Sequence, residues 1–140
     1  MKKYLLRNIL WCIIIFVLCA MPGDKLPSNS LEIPHLDKIV HFGLFYILGI
    51  FLCAELKYQT SLSYKKIGLI VIALVALYGA IIELLQYYLF VNRSGDYIDL
   101  LADISGGVIA VFMFRYLKIW KDRVIEKSPF NKYQFLKKIL

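Results

Sequence analysis

Histidine, cysteine and charge are all scarce in this chain. Its 140 residues include two histidines and three cysteines. Cys12, Cys19 and Cys53 all fall in apolar stretches, and their number is odd. That speaks against a disulfide framework, and no zinc-type cysteine spacing is present. The three are expected to be small buried core residues. Proline is confined to Pro22, Pro27, Pro34 and Pro129. Charged residues make up 19% of the chain. The apolar runs do not alternate with period two, which excludes a β-barrel. The polar stretches between them are too short to hold a soluble catalytic domain.

What the chain has is apolar sequence in blocks. It is 60% hydrophobic, against about 45–50% in soluble domains. Tyr4–Met21, Ile39–Leu56, Ile67–Val91 and Tyr97–Leu117 each approach or exceed the roughly 20 residues that cross a bilayer as a helix. The expected fold is all-α: an integral membrane four-helix bundle with spans at about 4–21, 39–56, 67–91 and 97–117. The first run is read as a retained span, since it is long for a signal core and lacks a small-residue cleavage pattern.

Charge sets the expected topology. Of 17 basic residues, 14 lie before or just inside the start of the first run, between the second and third, or at and beyond the end of the fourth. Only Lys25, Lys38 and Arg93 lie in the other two connections. The positive-inside rule then places both termini in the cytoplasm. The net charge of +7 is explained by topology and anionic inner-leaflet lipid, with no need for nucleic acid. Residues 1–120 are read as the membrane domain. Residues 121–140 are read as a basic tail, with Phe130, Tyr133, Leu136 and Leu140 on one helical face.

Against this apolar background, a few polar residues stand out. Glu83 interrupts the third run, and Asp99 and Asp103 lie in the fourth. Asp37 opens the second, followed by Lys38 and His41. A charge at the bilayer centre costs about 3 kcal/mol or more. The expected topology sends Asp37, His41, Glu83 and Asp103 to one slab on the outer-leaflet side. Asp37 and His41 are four apart, Glu83 and Gln86 three apart, and Asp96, Asp99 and Asp103 continue to Gly106 and Ala110 on one face. Gly79 shares the face of Glu83, while Gly106 and Ala110 form a small-xxx-small pair for close helix approach. Asp96 and Asp99 also suit the N-cap and first turn of the fourth helix. Asp37 suits a cap of the second. Arg93 suits an interfacial anchor or a phosphate contact.

Five acids in that slab face at most three cations. Either a proton is taken up or a cation is held. The candidate site is therefore Asp37, Lys38, His41, Glu83, Gln86, Arg93, Asp96, Asp99 and Asp103. His41, Glu83 and Asp103 are the candidate acid–base residues, with Asp37 orienting His41. One histidine and no recurring metal spacing give a metal little support, so no cofactor is expected.

The strings Asp37-Lys38-Ile39-Val40-His41-Phe42, then Gly79 with Glu83 and Gln86, then Arg93 with Asp99 six later, resemble the VanZ-like membrane family. Its pattern is roughly DKxxHF, GxxxExxQ and RxxxxxDxxxN followed by glycine. Asp103 stands where the pattern has Asn, which adds an acid to the site. The resemblance implies a small multi-pass envelope protein and, through the family's namesake, low-level resistance to teicoplanin. Implied partners are membrane lipid, a lipid-linked envelope precursor or a glycopeptide. Two function classes follow: a protein that binds a lipid, drug or partner, and a membrane-embedded acid–base enzyme acting on a lipid head group.

Overall fold

A computed structural model describes residues 2–20, 36–89 and 96–127, with side chains from 4 to 119 within those stretches. They form four helices: α1 (Lys2–Ala20), α2 (Leu36–Gln59), α3 (Tyr64–Leu89) and α4 (Tyr97–Lys127). The expected loops around 22–35 and 92–95, including Arg93, and the tail beyond Lys127 lie outside the described residues.

The expected runs all fall inside these helices, except for residues at their margins. The helices extend further, because a polar turn beyond the apolar run still closes backbone hydrogen bonds. The loop expected at 57–66 therefore shrinks to Thr60–Ser63, where Ser63 Oγ caps α3 by accepting from Lys66 N–H at 3.4 Å. Helix α4 continues without a break through Lys127, seven residues into the expected tail. α2, α3 and Tyr97–Ile119 of α4 are long and apolar enough to cross a membrane. The apolar part of α1, Tyr4–Ala20, is shorter than these three.

Named contacts give the helix directions. From Gly68 to Val75 to Gly79 along α3, the residues met on α4 run backwards, from Val111 to Gly107 to Asp103. α3 and α4 are thus antiparallel. From Lys38 to His41 to Gly49 along α2, the partners on α4 run forwards, from Asp99 to Asp103 to Ala110. α2 and α4 are thus parallel. α1 runs against α2, pairing Asn8 with Glu55 and Trp11 with Leu44. The starts of α1 and α3 therefore share one end of the molecule with the ends of α2 and α4. That end carries Arg7, Lys57, Lys65, Lys66, Arg115 and Lys118.

α2 and α4 make the most extensive helix pair, and small residues explain it. A Cβ on Gly106 would meet the backbone of Phe42 and the Tyr46 nitrogen, the latter at 2.9 Å. One on Gly49 would meet the Ala110 Cβ at 2.6 Å. Phe45, Leu48, Val71, Val75, Ile82 and Ile15 fill the core. Polar tips in the apolar layers reach backbone carbonyls: Trp11 Nε1 donates to Leu44 O at 3.0 Å, and the Tyr78 hydroxyl to Cys12 O at 2.6 Å. Large apolar side chains such as Leu69, Leu77, Phe112 and Tyr88 are exposed outward, as expected of helices whose solvent is lipid.

Candidate functional site

The site occupies the end where α2 and α4 begin and α1 and α3 finish. His41 sits one turn into α2 and is 1% exposed. Its Nδ1 lies 3.0 Å from Asp103 Oδ1 and 3.9 Å from Glu83 Oε1. An ionised carboxylate only accepts, so Nδ1–H donates to Asp103. On the far side of the ring, Nε2 faces Cys19 Sγ at 3.9 Å. Asp103, Glu83 and His41 are all buried, and one donor atom from each lies within 4.8 Å of the other two.

The two carboxylates are held differently. Glu83 Oε2 accepts from the Asp96 backbone N–H at 2.8 Å, which ties α3 to the start of α4. Glu83 Oε1 and Asp103 Oδ2 are buried and have no hydrogen-bond partner among the described residues. Gly79 makes room for the second of these: a Cβ there would stand 2.7 Å from Asp103 Oδ2. Orphaned buried carboxylate oxygens are rare and each calls for an explanation.

A second layer lies nearer the helix starts. Lys38 Nζ donates to Asp96 Oδ2 at 2.8 Å and to Asp99 Oδ1 at 3.0 Å. Asp96 is also the N-cap of α4: its Oδ1 accepts from Ile98 N–H at 2.8 Å and its carbonyl from Asp99 N–H at 2.9 Å. Lys38, and then the Ile98 N–H, hold the Asp96 carboxyl below its ordinary value of 3.8. A depressed pKa stabilises the fold above the ordinary value and loses that contribution as pH falls through the lower one. In Lys38→Gln, Asp96 is expected to titrate closer to 3.8, which carboxyl-carbon NMR would read. An unchanged value would show that Lys38 does not govern it.

Several sequence expectations change in detail. His41 meets Asp103 at 3.0 Å, while Asp37, expected to orient it, is exposed at the first turn of α2 with a carboxylate oxygen within 4.8 Å of a ring nitrogen. The reason is the close α2–α4 approach, which seats Asp103 against the ring. Asp99 joins Lys38, so its acid is already balanced. Gln86 serves a structural end: its Nε2 donates to Cys19 O at 3.1 Å, satisfying one of the last carbonyls of α1. Gly79, Gly106 and Ala110 all lie at helix contacts. Cys19 is a buried core residue, as expected, and its Sγ also meets the histidine ring. Its position in the last turn of α1, at the end that also holds His41, was the available signal.

A polar cluster at the opposite end was also missed. Asn8 Nδ2 donates to Glu55 Oε2, Gln59 Nε2 to Glu55 Oε1 at 3.3 Å, and Arg7 to Phe51 O at 2.8 Å. The Arg7 guanidinium also stacks over the Phe51 ring at 4.2 Å. With these partners the group reads as an interhelical tie between α1 and α2.

The fold and site define a helical membrane protein with a buried histidine–dicarboxylate centre near one end. Residues 3–120 match the VanZ/LLP1 family, and the chain belongs to it. No curated protein and no solved structure matches the chain.

Proposed function

We propose that this protein works in the bacterial cytoplasmic membrane, with both termini inside and the His41–Glu83–Asp103 centre on the outer-leaflet side. There it binds a positively charged group of a lipid, a drug or a partner and so alters susceptibility to glycopeptides such as teicoplanin. The observation that carries this reading is the pair of buried carboxylate oxygens without hydrogen-bond partners among the described residues. Two carboxylates beside one imidazole leave negative charge to be balanced, and Lys38 is already engaged by Asp96 and Asp99. The outward placement rests on the basic residues gathered at the opposite end.

Susceptibility to teicoplanin, measured in a host expressing wild type, Glu83→Gln or a vector control at matched membrane levels, tests it. Wild type is expected to raise tolerance and Glu83→Gln to lose the effect. Glu83→Gln keeps shape and hydrogen bonding but removes the charge. Equal tolerance in all three strains would overturn the reading.

One observation favours a second reading, an acid–base enzyme acting on a lipid-linked head group. The His41 ring is held on both nitrogens, by Asp103 on one side and beside the Cys19 thiol on the other. A base flanked by an orienting carboxylate and a thiol is the arrangement of nucleophilic catalysis. Cys19→Ala separates the two readings, since charge binding is indifferent to the thiol.

A further inference from the structure

The centre has the dimensions of a single coordination sphere. One donor atom each from His41, Glu83 and Asp103 falls within 4.8 Å of the other two. Ligands held at about 2.0–2.2 Å from a divalent ion lie about 2.8–3.1 Å apart at right angles, about 3.3–3.6 Å apart in a tetrahedron and about 4.0–4.4 Å apart when opposite. The His41 Nδ1–Asp103 Oδ1 edge of 3.0 Å is a right-angle spacing, and the Nδ1–Glu83 Oε1 edge of 3.9 Å lies between the tetrahedral and the opposite spacings, within a single ion's reach after a shift of a few tenths of an ångström. An ammonium would fit less well, since its acceptors at about 2.8 Å would stand about 4.5 Å from one another. The adjacent Asp37–His41–Asp99 group also has metal-ligand spacing. There, however, Asp99 is already paired with Lys38 at 3.0 Å.

Two further observations point to the inner group. Glu83 Oε1 is buried, lacks a hydrogen-bond partner among the described residues and faces His41 Nδ1. Asp103 is fully buried, and its Oδ2 likewise has no hydrogen-bond partner among the described residues. The Asp96 N–H already fixes the other oxygen of Glu83, which leaves Oε1 aimed at the centre.

We propose that His41, Glu83 and Asp103 bind one divalent transition-metal ion, of the zinc or manganese class, at this centre. The proposal rests on reading the centre as a site for positive charge, and it names that charge. A neutral imidazole and two carboxylates balance an ion of charge +2. One nitrogen with two oxygen donors suits zinc or manganese better than the all-oxygen preference of magnesium and calcium. In the ion-free centre, the proton between His41 Nδ1 and Asp103 Oδ1 occupies part of the same space. Three protein ligands leave a position open for an oxygen of a lipid head group or drug.

The test uses the full chain in detergent, stripped with a chelator, equilibrated with Zn²⁺ or Mn²⁺, desalted and analysed for metal by mass spectrometry. Wild type is expected to hold about one equivalent of one of these ions. Asp103→Asn and Glu83→Gln keep side-chain shape, and each should weaken binding at least about tenfold. Glu55→Gln, in the polar tie at the other end, should bind as wild type does. The visible spectrum of Co²⁺-loaded wild type reports coordination by nitrogen and oxygen without any variant. Wild type that takes up neither ion, or uptake that both site variants retain, overturns the proposal. Should Glu83→Gln abolish the teicoplanin effect while wild type binds no metal, the metal falls and the binding-site reading stands. Metal bound through these residues with no effect on susceptibility would uphold the metal and remove that reading.

Discussion

Asp103→Leu is expected to destabilise the folded chain by about 3–5 kcal/mol, because it leaves a buried partner unpaired. Asp103 is 0% exposed and His41 1%. With the carboxylate gone, the Nδ1–H donor at 3.0 Å loses its acceptor. Glu83 Oε1 stands 3.9 Å from the same nitrogen, beyond hydrogen-bond reach. Asp103→Asn retains an oxygen that accepts from the same N–H and should cost only about 1 kcal/mol. His41→Leu combined with Asp103→Leu should cost less than the sum of the two single changes, since the double variant removes the donor and its acceptor together. Unfolding of purified protein in mixed micelles, followed by circular dichroism, measures all four. If Asp103→Leu unfolded at the same denaturant fraction as wild type, the pair would not be a structural tie.

The ordering of these effects shows which parts of the site the sequence discloses. The apolar runs announced the helices, because membrane length and blocked hydrophobicity are local properties. Glu83 was conspicuous for the same reason: a carboxylate in the middle of a run has no capping role. Spacing also placed Asp96, Asp99 and Asp103 on one face. What spacing could not decide was which acid meets His41. Asp37 lies four residues away on the same helix, while Asp103 lies 62 positions along on another. The choice is made by how closely α2 and α4 approach, and that distance depends on both helices together. The same limit hid the pairing of Lys38 with Asp96 and Asp99.

Cys19, Asn8 and Glu55 were missed for a different reason. Each is ordinary when taken alone: a cysteine in an apolar run is usually inert, and polar residues near helix ends are usually solvated. They gain meaning only once α1 is laid antiparallel to α2. That brings Cys19 to His41 at one end and Asn8 to Glu55 at the other. Asp103 remains the position where this chain departs from the resembled pattern. It is also the acid that holds the histidine, so the departure falls at the centre of the site.

Gly106→Leu is expected to have the second large effect, and by a route that leaves every polar side chain in place. A Cβ at this position has no flexible neighbour to displace. It would meet α2 main chain, with the Tyr46 nitrogen at 2.9 Å and Phe42 on the same surface. Overpacking in a filled core costs about 1–3 kcal/mol when side chains yield, and backbone yields less. Gly106→Ala should therefore fall at the upper end of that range, and Gly106→Leu should separate α2 from α4 outright. Asp103 lies one turn before Gly106, and His41 immediately precedes Phe42. Separation would then lengthen the His41–Asp103 and Lys38–Asp99 contacts together, so stability and the site should fail in step. Gly43 supplies the control, because nothing lies within 4 Å of a Cβ built there. Gly43→Ala should be neutral or stabilise by up to about 1 kcal/mol through helix propensity. Thermal unfolding of the variants, with metal uptake measured on the same samples, reads both effects. If Gly106→Ala and Gly43→Ala behaved alike, the close α2–α4 approach would not be what positions the centre.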